Sequence, residues 1–177
     1  MIVPMLDAFA QLKAPYIGVL YASCMKIIRN GEPMIMNVEF NARWGDPEAQ
    51  LVLPGIKNDW FEVGMHLAEG GSLKGLKIKR DNLRRVVVAI AANGYPGDYS
   101  RVMGKKITGI YNAAAKPGVS LYGAGMMDDG KDYRVAGGRV IHVMGEGKTL
   151  QSARKNAYAG VHEISIEGDN QVFRSDI

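Results

Sequence analysis

Twelve of the 22 glycines in this sequence lie between Gly94 and Gly147, and their spacing has no period of three. The missing period excludes a collagen-like helix. Clustered, aperiodic glycine instead cuts the chain into short strands joined by tight turns, because glycine enters positive φ without a steric penalty. The second half is therefore expected to be turn-rich and built of many short β elements. A chain of 177 residues with 47% apolar and 23% charged residues can bury a core and is not broadly disordered. Its single cysteine, Cys24, excludes an internal disulfide and points to a reducing, cytoplasmic setting. No apolar run reaches the roughly 18 residues that would span a bilayer. Met1 to Leu12 lacks the basic start and apolar core of a signal peptide. A net charge of +4 admits anionic substrates without indicating nucleic acid.

Local patterns give a coarse α+β order. Val3 to Leu12 carries apolar residues near helical spacing, after an abrupt start at Met1. Two β-rich runs, Tyr16 to Arg29 and Pro33 to Asn41, flank Asn30-Gly31, a dipeptide suited to a type I′ hairpin turn. Asp46-Pro47-Glu48 reads as the start of a helix with Asp46 as N-cap, closed by Pro54-Gly55. Asp59 and Glu62 open a second helix, which Gly70-Gly71 stops. Arg85 to Ala92 is a continuous apolar strand. Further strands are expected near Lys106–Ile110, Val119–Met126 and Tyr133–Met144, with a hairpin turn at Asp128-Asp129-Gly130-Lys131. Thr149 caps a final helix with Leu150, Ala153, Ala157, Val161 and Ile164 on one apolar stripe. The polar, basic stretch from Gly71 to Arg85 marks a subdomain boundary, giving residues 1–75 and 76–177.

Residues 38–48, Val-Glu-Phe-Asn-Ala-Arg-Trp-Gly-Asp-Pro-Glu, hold the most chemistry. On a strand, residues two apart share a face, so Glu39, Asn41 and, if the strand persists, Arg43 point together while Val38 and Phe40 face the core. A carboxylate beside an amide oxygen is a hard-oxygen pair suited to Mg²⁺, which takes few carboxylates and shares its shell with phosphate and water. An adjacent arginine matches phosphate oxygens with its fork of donors. On spacing alone, Glu-x-Asn reads more simply as a solvated sheet face, and Gly45-Asp46-Pro47-Glu48 as a helix start.

The run Glu39-Phe40-Asn41-Ala42-Arg43-Trp44-Gly45-Asp46-Pro47-Glu48-Ala49-Gln50 resembles the signature of the glycinamide ribonucleotide synthetases, also called phosphoribosylamine–glycine ligases, of the ATP-grasp superfamily. Similar stretches follow in family order, among them Gly94-Tyr95-Pro96-Gly97-Asp98-Tyr99, Gly137-Gly138-Arg139-Val140 and Phe173-Arg174-Ser175-Asp176-Ile177. The resemblance implies the C-terminal part of an ATP-grasp fold followed by a small β-rich domain closed by one helix. It implies an ATP-dependent joining of glycine to 5-phosphoribosylamine through glycyl phosphate, in purine biosynthesis. Glu39 and Asn41 match the family's Mg²⁺ (or Mn²⁺) ligands, and Arg43 matches the position that binds ATP phosphate and stabilises the transferring phosphoryl group. The chain resembles only the family's C-terminal portion, without the N-terminal substrate domain or the glycine-rich loop over the phosphates. Independent activity is therefore not expected. The alternative is an interaction module, one half of a split enzyme completed by an N-terminal partner. The ending departs from the family at Ser175, where arginine is frequent.

Other features have plainer readings. Lys74, Lys77, Lys79, Arg80, Arg84 and Arg85 place six basic residues within twelve, but no aromatic platform is interleaved, so a solvated connector is expected and no nucleic-acid partner. Gly137-Gly138-Arg139 is either a glycine bulge in a strand or a loop bringing Arg139 to a phosphoribosyl group. His66, His142 and His162 lack zinc spacing. Cys24 is expected to be a small buried residue.

Overall fold

The computed structural model describes residues 2–14 and 16–177; Met1, the expected abrupt start, and Pro15, between the first helix and the hairpin, lie outside the described residues. The fold is mixed α and β, and its elements fall into two compact units. The first comprises Met1–Ala49 and Ile56–Lys79; the second comprises Gln50–Gly55 and Arg80–Ile177.

The first unit begins with helix α1 (Ile2–Gln11). An antiparallel hairpin follows, strands β1 (Tyr21–Arg29) and β2 (Glu32–Asn41). Its turn is Asn30-Gly31 with φ of 53° and 83°, as an Asn-Gly type I′ turn requires. The register slips between Ser23 and Cys24, so Val38 is an extra residue on β2. Helix α2 (Glu48–Val52) starts in this unit and ends in the second, and helix α3 (Trp60–Ala68) completes the part. Asp59 caps α3 as expected, accepting from the Phe61 and Glu62 amides at 2.8 and 3.4 Å. Gly45 alone is buried among this unit's described residues. Two expectations fail for that reason. Val38 is 60% exposed instead of facing a core, and Cys24 is exposed on β1 instead of buried. A two-stranded hairpin has no second layer to cover either face.

The second unit holds the core. Strands β3 (Arg84–Ala92), β5 (Val119–Gly123), β8 (Arg139–Gly147) and β10 (Gln171–Val172) form an antiparallel sheet in the order β10-β3-β8-β5. Strands β4 (Lys106–Thr108), β6 (Met126–Asp128), β7 (Tyr133–Val135) and β9 (Ser165–Ile166) form another, in the order β6-β7-β4-β9. Helix α5 (Leu150–Val161) packs on the first sheet, its Ala153, Ala157 and Val161 buried with Val86, Val88, Ile90 and Val143. Thr149 and Ser152 form a reciprocal capping box at its start. Leu150, expected in the apolar stripe, is 64% exposed because it lies in the first turn, beyond the sheet contact.

Two long strands expected from the sequence are each two short ones. Val119–Met126 breaks after Gly123, and Tyr133–Met144 breaks after Val135, and at each break the chain passes from one sheet to the other. The crossings touch at Gly125, where a Cβ would lie 2.6 Å from both Arg139 O and Gly137 Cα. Only a residue without a side chain lets two main chains approach so closely. The glycine excess thus serves strand switching as well as turns. Between β4 and β5 the short helix α4 (Ile110–Ala114) stands where the Lys106–Ile110 strand was expected to end.

Candidate functional site

Glu39 and Asn41 sit side by side near the end of β2. The Asn41 Nδ2 donates to Glu39 Oε1 at 2.9 Å, so the two share one face of the hairpin. Their partners across the ladder are Ser23 and Tyr21. Both groups are hard oxygen donors on accessible surface. Arg43 is not on that strand, because β2 ends at Asn41. Its Nη1 turns to the adjacent Trp44 carbonyl at 2.9 Å. The expectation that Arg43 follows the strand alternation is therefore corrected: it belongs to the loop leading to α2.

That loop is held from two sides. Tyr21 Oη donates to Glu48 Oε1 at 3.0 Å, and this bond pushes the Tyr21 phenol above its usual pKa of 10. A Cβ on Gly45 would lie 2.4 Å from Glu48 Oε2 and 2.8 Å from Tyr21 Cζ, so the clamp closes over a bare main chain. Trp44 packs edge-on against Trp60 of α3, ring centres 5.8 Å apart. The helix begins with Ala49 N donating to Gly45 O at 2.9 Å. Gly45, not Asp46, thus supplies the first carbonyl, and the cis Asp46-Pro47 peptide precedes the helix.

The second unit brings together two loops that are far apart in sequence. Ala92 N donates to Gly138 O at 2.8 Å, joining the end of β3 to the approach to β8. A Cβ on Gly138 would meet the Tyr95 ring at 2.3 Å and the Tyr99 ring at 3.1 Å. The Gly94–Tyr99 turn therefore lies against Gly137-Gly138, with Arg139 half-buried beside them. Asp98 accepts from the Ser100 amide at 2.9 Å, which holds its carboxyl below the usual range. The ladder slips between Ile90 and Ala91, leaving Val140 as an extra residue on β8. The bulge is thus at Val140 and not at the glycines, since Gly137 and Gly138 precede β8.

The basic cluster does not survive as one solvated patch. The Arg85 side chain is 7% exposed, bonded to both Asp81 oxygens at 2.9 and 2.6 Å and to Glu146 at 3.2 Å. Two contacts escaped the sequence reading: Tyr21 with Glu48, and Gln50 with His142 at 3.2 Å, 92 residues apart. No local pattern signals either. Among the described residues no group of three or more His, Cys, Asp or Glu could hold a metal, and no helix is long and apolar enough to cross a membrane.

Residues 85–177 match the family described as phosphoribosylglycinamide synthetase, C domain. The chain belongs to that family. Among similar proteins, the trifunctional purine biosynthetic protein adenosine-3 of Bos taurus is 40% identical over 97% of this chain. The chloroplastic phosphoribosylamine–glycine ligase of Arabidopsis thaliana is 35% identical over 98%. The chain spans 16% and 32% of those two proteins. The crystal structure of the phosphoribosylamine–glycine ligase of Thermotoga maritima aligns with a TM-score of 0.65 at 28% identity, covering 89% of this chain and 36% of that one. The N5-carboxyaminoimidazole ribonucleotide synthetase of the same organism shares the fold alone, with a TM-score of 0.55 at 15% identity.

Proposed function

We propose that this chain is the C-terminal part of an ATP-dependent, carbon–nitrogen bond-forming ligase that joins glycine to 5-phosphoribosylamine, giving glycinamide ribonucleotide in purine biosynthesis. Residues 1–75 are the end of the ATP-grasp domain and residues 76–177 the small C-terminal domain. The observation that carries this reading is the Glu39–Asn41 pair, side by side on β2 in a chain of this family.

The donor set fits Mg²⁺ or Mn²⁺, since one carboxylate and one amide oxygen leave room in the shell for phosphate and water. Glu39 and Asn41 would hold the ion, which when bound offsets negative charge on the ATP phosphates. Arg43, one residue from Trp44 and steadied by its carbonyl, keeps further donors for a phosphate oxygen. Its role is to bind the ATP phosphates and to stabilise charge on the group in transit as glycine becomes glycyl phosphate. Tyr21 and Glu48 fix the loop that presents it.

The isolated chain does not turn over, because it spans only a third or less of the length of the first curated relatives it matches. The partners are ATP, glycine and phosphoribosylamine in the cytoplasm, with no nucleic acid and no membrane. A direct test is ADP release by the purified chain with ATP, Mg²⁺, glycine and phosphoribosylamine. No release is expected; turnover lost in Glu39→Ala would overturn the reading of an inactive part.

A second reading has its own support. Met25, Ile28, Ile35, Val38 and Phe61 are all exposed in the first unit. That apolar surface suits a split-enzyme half that completes its site with a separate N-terminal partner.

A further inference from the structure

The second unit leaves a space beside β5, β6 and helix α4 partly unfilled. Ile141, 1% exposed, lines it from below, and its partner across the ladder is Gly123. Residues directly opposite on a ladder point to one face, so the missing Gly123 side chain leaves the volume beside Ile141 open. Ile110, Leu121 and Met126 wall the opening, each half-buried against the core. The apolar cleft they form measures about 330 Å³. A second cleft, of about 350 Å³, lies between the β4–α4 turn and the β6–β7 turn. Ile110, Asp128 and Tyr133 line both, so the two adjoin.

The charges around this joint cleft are only partly matched. Asp132 is bonded to Lys106 at 2.6 Å, and Asp129 of the same turn is held by Arg134. Asp128 accepts the Gly130 amide at 2.9 Å and pairs with no cation among the described residues. The Lys131 ammonium pairs with no carboxylate among them. Asp128 and Lys131 therefore line one cleft with opposite charges that do not meet. Beside them stand Tyr111 and Tyr133, ring centres 6.3 Å apart. The hydrogen bond with Tyr111 pushes the Tyr133 phenol above its ordinary 10, and the negative charge of Asp128 adds to the rise. Tyr133 thus stays neutral where the two clefts adjoin.

We propose that the joint cleft binds a free α-amino acid with an apolar side chain: the ammonium on Asp128, the carboxylate on Lys131, and the side chain in the Leu121–Met126–Ile141 end. A zwitterion answers both unmatched charges, whereas a simple cation or anion answers one and is repelled by the other. Asp128 lines both clefts, so an ammonium held there directs its substituent into the apolar end and leaves its carboxylate at the polar end. Each volume is near the lower bound of about 300 Å³ for small-molecule sites, which suits a ligand of few atoms. The inference is independent of the ligase reading. The cleft shares no residue with the Glu39–Asn41 pair, and glycine has no side chain for the apolar end.

NMR titration of the full chain with L-leucine tests this, following the Met126 methyl and the Asp128 and Lys131 amides. Saturable shifts below about 10 mM are expected at all three. Isopentylamine lacks the carboxylate of leucine, isocaproate lacks its ammonium, and glycine lacks its side chain. Each should bind at least about tenfold more weakly than leucine. Asp128→Asn should erase the advantage of leucine over isocaproate, and Lys131→Met its advantage over isopentylamine. Both side chains are exposed, so both variants should keep the wild-type spectrum away from the cleft. No saturable shift up to about 10 mM, a gap below about tenfold for any of the three probes, or an advantage that survives its variant would each overturn the site.

Discussion

Asn41 donates its side-chain N–H to Glu39 at 2.9 Å, so an amide and a carboxylate two residues apart act as one polar unit at the end of β2. Replacing Asn41 by Asp turns this attraction into repulsion between like charges. In the Asn41→Asp variant the pair should titrate with one apparent pKa raised above the ordinary carboxylate range when divalent ions are removed. Millimolar Mg²⁺ should lower it again. Carboxyl carbon NMR titration with and without Mg²⁺ measures both; insensitivity to Mg²⁺ would count against a metal site here.

The Asp129 carboxyl is held at about 2, first by the Arg134 guanidinium and then by the Asp132 and Lys131 amides. Its ordinary value is about 3.9, so the β6–β7 turn gains stability that is complete above that value and is lost as pH falls toward 2. Arg134→Ala should return the Asp129 midpoint toward 3.9, read by the same carbon titration. A midpoint that stays near 2 would mean the amides alone suffice.

Arg85 carries its charge at 7% exposure, against Asp81 at 17% and Glu146 at 35%. Asp81→Ala leaves a buried guanidinium with Glu146 as its remaining carboxylate and should cost about 2–4 kcal/mol in urea unfolding. Arg85→Met should cost less, because the carboxylates it leaves behind retain part of their water. Equal losses would show that packing, not charge burial, sets the effect.

Gly125→Ala should destabilise the second unit by about 1–3 kcal/mol, because the added methyl meets two main-chain atoms at 2.6 Å and neither can rotate away. Thermal unfolding of the variant checks this. A neutral result would mean the two sheet crossings separate freely.

What the sequence made legible was local chemistry. Asn30-Gly31, Asp59 and Thr149 each satisfy their turn or cap with residues close in sequence, and each appears in the structure. The strand breaks near Gly125 and Gly137 were not legible, since leaving one sheet for another depends on contacts between crossings twelve residues apart. Helix α4, five residues long, is too short to show a period. Alternation placed Glu39 and Asn41 on one face, but it also put Val38 in a core that the hairpin does not have and carried Arg43 past the end of the strand. Clamps such as Tyr21–Glu48 and Gln50–His142 join residues 27 and 92 positions apart and leave no local trace.

The central claim is that these residues complete a glycine ligase site with Glu39 at its metal corner. Its most direct test is a chimera in which this chain replaces the portion of the Thermotoga maritima ligase that it matches. Glycine- and phosphoribosylamine-dependent ADP release is measured for the chimera and for its Glu39→Gln variant, with thermal unfolding and ATP binding as controls. Turnover in the chimera and a fall of at least about 100-fold in kcat for Glu39→Gln, at unchanged unfolding temperature, is the predicted result. A folded, ATP-binding chimera that releases no ADP, or a Glu39→Gln variant as active as its parent, would contradict it.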